Sequence, residues 1–337
     1  MPDTTLPIDL PPHVALLLSA LPLPRPTTIL DVGANPINEV PYRALLQGGG
    51  CHVIGFEPQE AAFAELQRIK GPNETYHPHA VGDGGTHRLH LYRSSGFTSL
   101  FLPHMPAARV YGGARWTQIS GAVDLPTVAL DAIPDLAPFD MLKIDIQGGE
   151  KLVIDNARRC LSEAVAVIVE LRYLRLYEGE PMMGGVDDCL RDQGFMLHKF
   201  MFNKSKPMPH SQSARLHKRR TADQLIDGDA VYLRHPGRIE AYTDGQVMHL
   251  AILASGVFDS HSTALYALDE LVRRNLADPD LPARYVDALP ARLRLEAEEG
   301  DEAPAAAPSE PVAAPRAQTA SKAAPKPKSA PKSKKSA

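Results

Sequence analysis

The chain has 337 residues, of which 44% are hydrophobic and 23% are charged, and its formal net charge is −4. These fractions are typical of an ordinary globular protein that is long enough for one large domain with additions. The small net charge excludes a strong electrostatic preference of the whole molecule for one class of partner.

Cysteine usage and hydrophobic run length limit the setting of the protein. Cys51, Cys160 and Cys189 are its three cysteines, and no two of them are spaced as CxxC. This pattern disfavours a disulfide framework and a structural zinc site. No basic residue precedes Arg25, and no apolar run approaches the ~20 residues that cross a bilayer. We therefore expect a cytoplasmic protein without a signal peptide or a transmembrane segment.

Short β-branched apolar runs alternate with helical patterns along most of the chain. After a Pro-rich N-terminal extension at residues 1–26, strands are predicted at residues 28–32, 52–56, 75–81, 141–146, 164–171, 195–200 and 230–234. Helices are predicted at residues 13–20, 39–47, 59–70, 150–157 and 186–193. Strands and helices that alternate in this way predict an α/β fold, with a mostly parallel sheet that carries helices on both faces.

Three segments depart from the alternation. Residues 88–130 contain alternating polar and apolar positions, which predict an antiparallel insertion within a main domain at residues 27–236. Residues 237–295 contain apolar residues at helical spacing and predict a helical C-terminal appendage. Residues 296–337 are rich in Ala, Pro, Ser and Lys, and this composition predicts a disordered tail.

Acidic residues end the first two predicted strands. Asp31 is followed by Gly33, whose lack of a side chain lets a ligand approach the backbone closely. Glu57 ends the next strand, 57 − 31 = 26 residues further on. At about that distance a carboxylate meets the ribose hydroxyls of a bound nucleotide. Alternatively, both acids only end their strands and cap neighbouring helices.

The turn after Asp31 discriminates between cofactors. A dinucleotide requires a GxGxxG turn, in which a helix N-terminus holds the pyrophosphate. Here the sequence after Asp31 is VGANPINE, with one glycine and one proline. S-adenosylmethionine has no phosphate and fits this turn better, so an NAD-dependent oxidoreductase is the weaker alternative.

The string DMLKIDIQGGE at residues 140–150 places charged groups in an apolar strand. Burial of Lys143 and Asp145 is unfavourable unless they are paired or lie at the strand end. Asp145 is therefore a candidate functional residue. Glu150 opens the next helix, where a carboxylate either interacts with the helix dipole or takes part in catalysis. Glu170, at the end of the next strand, allows the same two interpretations.

The strings DVGAN, GFEP, LKIDIQGGE, IVEL and DGDAVYLR, taken in this order, resemble the FkbM family of methyltransferases over residues 28–234. The resemblance implies a Rossmann-like class I methyltransferase fold with a seven-stranded sheet in the order 3-2-1-4-5-7-6. It also implies S-adenosylmethionine as the cofactor, and methyl transfer to a hydroxyl of a saccharide or another small hydroxylated metabolite.

The same resemblance implies roles for individual residues. Those implied to bind the cofactor are Asp31, Gly33, Asn35, Glu57, Val81, Asp83 and Asp145. Asp145 and Glu150 match the acidic pair near the transfer site and are the predicted catalytic residues. An alcohol acceptor requires a general base, for which Asp145 is the first choice. His79 and His198 are the alternatives, and no cluster has metal-ligand spacing.

One position departs from the family pattern. The family usually has Gly two residues after the Asn of DVGAN, and here that position is Ile37, preceded by Pro36. Proline restricts its own φ and pushes Asn35 towards an extended conformation, so the loop takes a different path. A non-catalytic, methyltransferase-like scaffold that binds a partner is therefore retained as an alternative function.

Two further segments bear on the acceptor. The hydroxyl-rich residues 94–99 either line the acceptor pocket or form a polar turn, and the basic residues 203–220 form either a lid or a solvated loop. The Lys-rich tail has no interleaved aromatic residues, so we expect a small-molecule or saccharide acceptor rather than nucleic acid.

Overall fold

The computed structural model describes residues 10–36, 39–111, 113 and 116–295. Ile37, residues 1–9 and the tail predicted from residue 296 lie outside these ranges. The strands are β1 (Thr27–Val32), β2 (Cys51–Phe56), β3 (Glu74–His77), β4 (Ala80–Val81), β5 (Thr86–Tyr92), β6 (Ile119–Val128), β7 (Met141–Ile144), β8 (Ala166–Arg172), β9 (Phe195–Lys206) and β10 (Gln224–Arg234).

The helices follow the strands in the expected alternation. The α-helices are α1 (Pro12–Ala20), α2 (Arg43–Gln47), α3 (Glu60–Ile69), α4 (Met105–Tyr111), α5 (Glu150–Asp155), α6 (Arg158–Leu161), α7 (Met183–Arg191), α8 (Asp244–Gly256), α9 (His261–Arg273) and α10 (Leu281–Ala288). Short 3-10 helices lie at Ser95–Phe97, Leu130–Ala132, Ser213–Arg215, Pro236–Ala241 and Ala291–Leu293.

Seven strands form the main sheet in the order β3-β2-β1-β7-β8-β10-β9. Numbered along the chain within this sheet, the order is 3-2-1-4-5-7-6, so the predicted topology is confirmed. Neighbours from β3 to β8 pair in parallel. β10 is antiparallel to both β8 and β9.

The predicted antiparallel insertion is a second sheet in the order β4-β6-β5, in which β5 and β6 are antiparallel. The single strand predicted at residues 75–81 is wrong in one respect, because it is two strands. β3 belongs to the main sheet, whereas β4 pairs with β6. Pro78 lies between them and has no N–H to donate to a ladder.

Alternate residues of the central strands pack on opposite faces of the main sheet. One face contributes Ile29, Met141, Ile168 and Val231 to a core that also contains residues of α1, α8, α9 and α10. The other face contributes Leu30, Leu142, Val167 and Tyr232 to a core with residues of α5, α6 and α7. Helices therefore cover both faces, as the sequence pattern predicts.

The C-terminal helices belong to the core of the first face. α8 begins with a capping box in which Thr243 and Gln246 bond each other's backbone N–H groups, and its residues 247–255 are all buried. Because α8 shares one apolar core with β1 and β10, these helices cover the sheet directly. The predicted domain boundary after residue 236 stays a prediction. In the part of the chain that the structure describes, no helix has the length and apolar character needed to cross a bilayer.

Candidate active site

The first face of the main sheet changes from apolar to charged towards the carboxyl ends of its parallel strands. Two residues beyond the core residue of each strand lie Asp31 in β1, Lys143 in β7 and Glu170 in β8. In antiparallel β10 the same level is reached at Asp229, which is paired with Glu170. Ligands of parallel α/β sheets bind beyond this edge. Because every second side chain of a strand points to the same face, these charged groups lie on the first face at the expected ligand site.

A cavity of about 1170 Å³ lies at this edge. Of the residues predicted to bind the cofactor, Gly33, Asn35, Glu57, Val81 and Asp145 line it. His79 and residues 94–98 also line it, as do Lys204, Glu170 and Asp229. The sequence-predicted residues Asp31, Asp83, Glu150 and His198 are not among the lining residues.

Gly33 fixes the path of the chain after β1. Its φ is +83°, and a Cβ at this position would lie 2.3 Å from the carbonyl oxygen of Asp145. The N–H groups of Gly33 and Ala34 both donate to the carbonyl of Phe56, at 3.0 and 3.1 Å. The loop therefore packs closely between the ends of β7 and β2, an arrangement that only glycine permits at residue 33.

Asp31 lies beneath the cavity and is fully buried. The hydroxyl of Tyr42 donates to its Oδ2 at 2.5 Å, and the Nζ of Lys143 lies 3.1 Å from its Oδ1. Burial alone would lower the pKa of Lys143, but Asp31 and Asp145 raise it above its ordinary value. In this structure Asp31 holds Lys143 and α2 at the base of the site.

Glu57 is a buried cavity-lining carboxylate, 4% exposed, at the end of β2. Its Oε1 accepts the backbone N–H of Gln59 at 2.8 Å. Burial raises the pKa of Glu57, while the N–H of Gln59 opposes this shift. An ionised carboxylate has about four acceptor positions, so Glu57 keeps acceptor capacity for a diol in the cavity.

Gln147 is a site residue that the sequence analysis missed. Its Nε2 donates to Asp145 Oδ1 and to Glu170 Oε2, both at 2.9 Å. Its Oε1 accepts from Nη2 of Arg172 at 2.7 Å. Since a guanidinium only donates, the amide oxygen of Gln147 must face Arg172, and its NH2 group must face the two carboxylates. Gln147 has a φ of +61°, a conformation that is unfavourable by about 1–3 kcal/mol without such contacts. The following two glycines were the available signal for this turn.

Asp229 is the second site residue that the sequence analysis missed. It lines the cavity opposite Glu170. Burial, and secondly the neighbouring charge of Asp145, raise the pKa of Asp229 to about 6. Burial also raises the pKa of Glu170 well above its ordinary value, although Arg172 opposes the shift. Two acids two positions apart in a buried strand, Asp227 and Asp229, were the available signal.

Glu150 is buried and binds the backbone rather than lining the cavity. Its Oε1 accepts the N–H groups of Ile146 and Gly148 at 3.0 and 3.1 Å, and its Oε2 accepts that of Gly148 at 3.0 Å. Burial raises the pKa of Glu150, and Arg172 and these N–H groups oppose the shift. The structure therefore places Glu150 as the residue that holds the loop carrying Gln147.

Two other predicted residues lie away from the cavity. Asp83 accepts from the backbone N–H of Gly85 at 2.8 Å and lies 2.7 Å from Nε2 of His87, which lowers the pKa of Asp83. Asp83 follows β4, which pairs with β6 in the second sheet, and this explains why Asp83 does not line the cavity. His198 contacts Ser260 Oγ at 2.9 Å, beside α9.

Three carboxylates of the site lie close enough to hold a cation. Oxygen atoms of Asp145, Glu150 and Glu170 lie within 4.8 Å of one another. However, Nη1 of Arg172 lies 2.8 Å from Glu170 Oε1, and the other two carboxylates accept from Gln147 or from backbone N–H groups. The chain thus supplies its own cation to this group, and we assign no metal to it.

The comparison with protein-family models agrees with the motifs. Residues 31–197 match the methyltransferase FkbM domain, a range that extends from β1 into β9. The comparison with curated proteins gives no significant match. Similar solved structures include the magnesium protoporphyrin IX methyltransferase of Synechocystis PCC 6803 with bound SAM, at 12% identity and a TM-score of 0.32. That match covers 66% of this chain and 76% of the other.

Another similar structure is the Burkholderia thailandensis 1,6-didemethyltoxoflavin-N1-methyltransferase, with bound 1,6-didemethyltoxoflavin and S-adenosylhomocysteine. It is 13% identical, the match covers 66% of this chain and 76% of the other, and the TM-score is 0.33. Because these identities and TM-scores are low, the family is assigned from the match of residues 31–197 to the FkbM domain alone.

Proposed function

Because this chain belongs to the FkbM family of S-adenosylmethionine-dependent methyltransferases, we propose that it methylates a hydroxyl of a saccharide or another small hydroxylated metabolite. The observation that carries the proposal is that predicted cofactor residues and acidic residues line one cavity. Gly33, Glu57 and Val81 line it where the cofactor is expected, and Asp145 and Asp229 line it as well. The family assignment removes the oxidoreductase alternative.

The residues present fit the cofactor. Gly33 lets the loop after β1 pack against the end of β7 and lines the cavity there, and the buried Glu57 offers an acceptor for ribose hydroxyls. Together they would hold S-adenosylmethionine, which supplies an electrophilic methyl group when bound. The cavity volume of about 1170 Å³ exceeds the roughly 300–1,000 Å³ of common single-ligand pockets, which supports space for an acceptor beside the cofactor.

The roles proposed for the chain's own residues follow from these contacts. Asp145 accepts the proton of the acceptor hydroxyl, as a general base does. Gln147 orients Asp145 through its amide, and Arg172 orients Gln147. Glu150 acts as a positioning residue, because it holds the loop rather than contacting the cavity. Alignment of two reactants in such a site can lower the barrier by roughly 7–11 kcal/mol.

The polar lining supports a hydroxylated acceptor. Ser94, Ser95 and Thr98 line the cavity and can both donate to and accept from hydroxyl groups. Carboxylates such as Asp229 accept from hydroxyls in the same way. We place this activity in the cytoplasm, since all three cysteines are buried free thiols, which is usual in a reducing compartment.

The test is methyl transfer from labelled S-adenosylmethionine to a panel of mono- and disaccharides and small polyols. The proposal expects label in at least one hydroxylated acceptor, and loss of transfer in Asp145→Asn with S-adenosylhomocysteine binding retained. Binding of S-adenosylhomocysteine without transfer to any acceptor in the panel would favour the scaffold alternative.

A further inference from the structure

β9 and the segment that joins it to β10 concentrate positive charge beside the cavity. Between residues 193 and 222 the sequence contains seven Lys and Arg residues and neither Asp nor Glu. These residues are Lys199, Lys204, Lys206, Arg215, Lys218, Arg219 and Arg220. Because the whole chain carries a formal net charge of −4, this concentration is a local feature rather than a property of the protein. We call residues 204–223 the basic segment.

The basic segment presents its charge and several apolar side chains to solvent. Every residue from 208 to 220 is exposed. Met208 and Leu216 are 48% and 47% exposed. Among the described residues, no ion pair involves Lys218, Arg219 or Arg220. The exposed surface therefore combines cations that lack an internal counter-charge with apolar groups that lack a core.

Contacts with the body of the protein hold the basic segment in place. The ammonium of Lys206 lies 4.3 Å from the centre of the ring of the buried Trp116. The hydroxyl of Tyr111, at the end of α4, lies 3.0 Å from the sulfur of Met208. Lys204 lines the cavity, as does Phe202, which is 56% exposed. The surface is thus anchored at two points and continues to the mouth of the cavity.

We propose that the basic segment docks this protein on an anionic lipid bilayer. Lys and Arg side chains bind anionic headgroups, and exposed apolar side chains enter the boundary between headgroups and acyl chains. The exposed cations therefore favour an anionic partner. The exposed side chains of Met208 and Leu216 favour a partner that also has an apolar layer, as a bilayer does. A single-stranded nucleic acid would stack its bases on aromatic side chains. The basic segment contains no Phe, Tyr or Trp, and the exposed Phe202 lines the cavity instead.

Vesicle flotation of the full chain tests the proposal. The probes are vesicles of phosphatidylcholine alone, and vesicles of equal parts phosphatidylcholine and phosphatidylglycerol. We expect flotation with the anionic vesicles only. The triple variant Lys218→Glu/Arg219→Glu/Arg220→Glu is expected to bind at least about tenfold more weakly, since three cations that attract an anionic surface become anions that it repels. Met208→Ser/Leu216→Ser is expected to weaken flotation without a change of charge.

The Lys-rich tail requires a matched control. In the variant Lys332→Glu/Lys334→Glu/Lys335→Glu, which reverses three charges outside the basic segment, flotation should remain within about twofold of the wild type. Unchanged flotation of the triple variant, or its loss in the tail variant alone, would overturn the proposal. Flotation that is insensitive to Met208→Ser/Leu216→Ser would replace the bilayer with a general polyanion as partner. Binding of S-adenosylhomocysteine by every variant confirms an intact fold, and separates this test from that of the methyltransferase activity.

Discussion

Glu170 and Asp229 lie directly opposite each other on the antiparallel strands β8 and β10, and both carboxylates face the cavity. Directly opposed side chains of an antiparallel pair are close neighbours, and like charges there are unfavourable. Arg172 compensates Glu170 through an ion pair of 2.8 Å, and it lies 3.3 Å from Asp227, the neighbour of Asp229 in the same row. Burial and the charge of Asp145 raise the pKa of Asp229, so this carboxyl becomes protonated more readily than an exposed aspartate.

Asp229→Asn should stabilise the protein at neutral pH. The pKa of Asp229 is raised from the usual value of an aspartate to about 6, so ionisation of this group disfavours the folded state. The penalty is absent where both states are protonated, below about pH 4, and is complete above about pH 6. We expect the variant to gain on the order of 1–2 kcal/mol in the free energy of unfolding at pH 7. Urea unfolding from pH 4 to pH 8 measures this gain; a variant that is less stable at every pH would contradict it.

Asp145→Asn should reduce the rate of methyl transfer by roughly 10²–10⁴-fold, which is the usual contribution of a general base. Asparagine preserves the shape and can still interact with Gln147, so the melting temperature should change little. Rate and melting temperature are measured on the same preparation. A large loss of stability with a proportionate loss of activity would instead show that Asp145 has a structural role.

Glu150→Gln should reduce stability more than it reduces the rate of methyl transfer. One carboxylate oxygen becomes an N–H donor that faces the N–H groups of Ile146 and Gly148, so hydrogen bonds to a charged group are lost. Such bonds contribute about 1.5–3 kcal/mol each, and we expect a loss of that order in the free energy of unfolding. Activity in the folded fraction should fall less than in Asp145→Asn. Full stability without activity would favour a direct catalytic role for Glu150.

Gly33→Ala should weaken both the fold and cofactor binding. A Cβ at residue 33 would lie 2.3 Å from the carbonyl oxygen of Asp145. Gly49→Ala is the matched control, because Gly49 also has a positive φ, of +73°, but no atom lies within 4 Å of its Cβ position. The control should lose about 1–2 kcal/mol from backbone strain alone. The Gly33 variant should lose more, and should also bind S-adenosylhomocysteine more weakly; equal losses in the two variants would refute the steric argument.

The main sheet follows from local patterns in the sequence. Apolar runs predict β1, β2, β7 and β8 to within a few residues, because strands buried on both faces consist almost entirely of apolar side chains. β9 is longer than predicted, since residues 201–206 are mostly polar or exposed and extend the edge of the sheet only by pairing with β10. Pairing of this kind cannot be seen in either strand alone.

The sequence predicts those site residues whose role depends on their position at the end of their own strand. It does not reveal those whose role depends on a contact with a residue that is distant in the chain. Gly33 and Glu57 follow from the turns that end β1 and β2. Gln147, in the loop after β7, acquires its role from Arg172, which is 25 residues away and lies on β8. The family resemblance implies a cofactor role for Asp83, but Pro78 separates β4 from β3, and β4, which precedes Asp83, pairs with the second sheet.

The most direct test of the account is isothermal titration of the purified full chain with S-adenosylhomocysteine, and separately with NADH, repeated on Glu57→Ala. We predict that the wild type binds S-adenosylhomocysteine and not NADH. Loss of a hydrogen bond to a charged group, about 1.5–3 kcal/mol, should weaken binding by roughly 10–150-fold in the variant. Absence of S-adenosylhomocysteine binding by the wild type, or equal affinity of the wild type and Glu57→Ala, would contradict the proposed cofactor site.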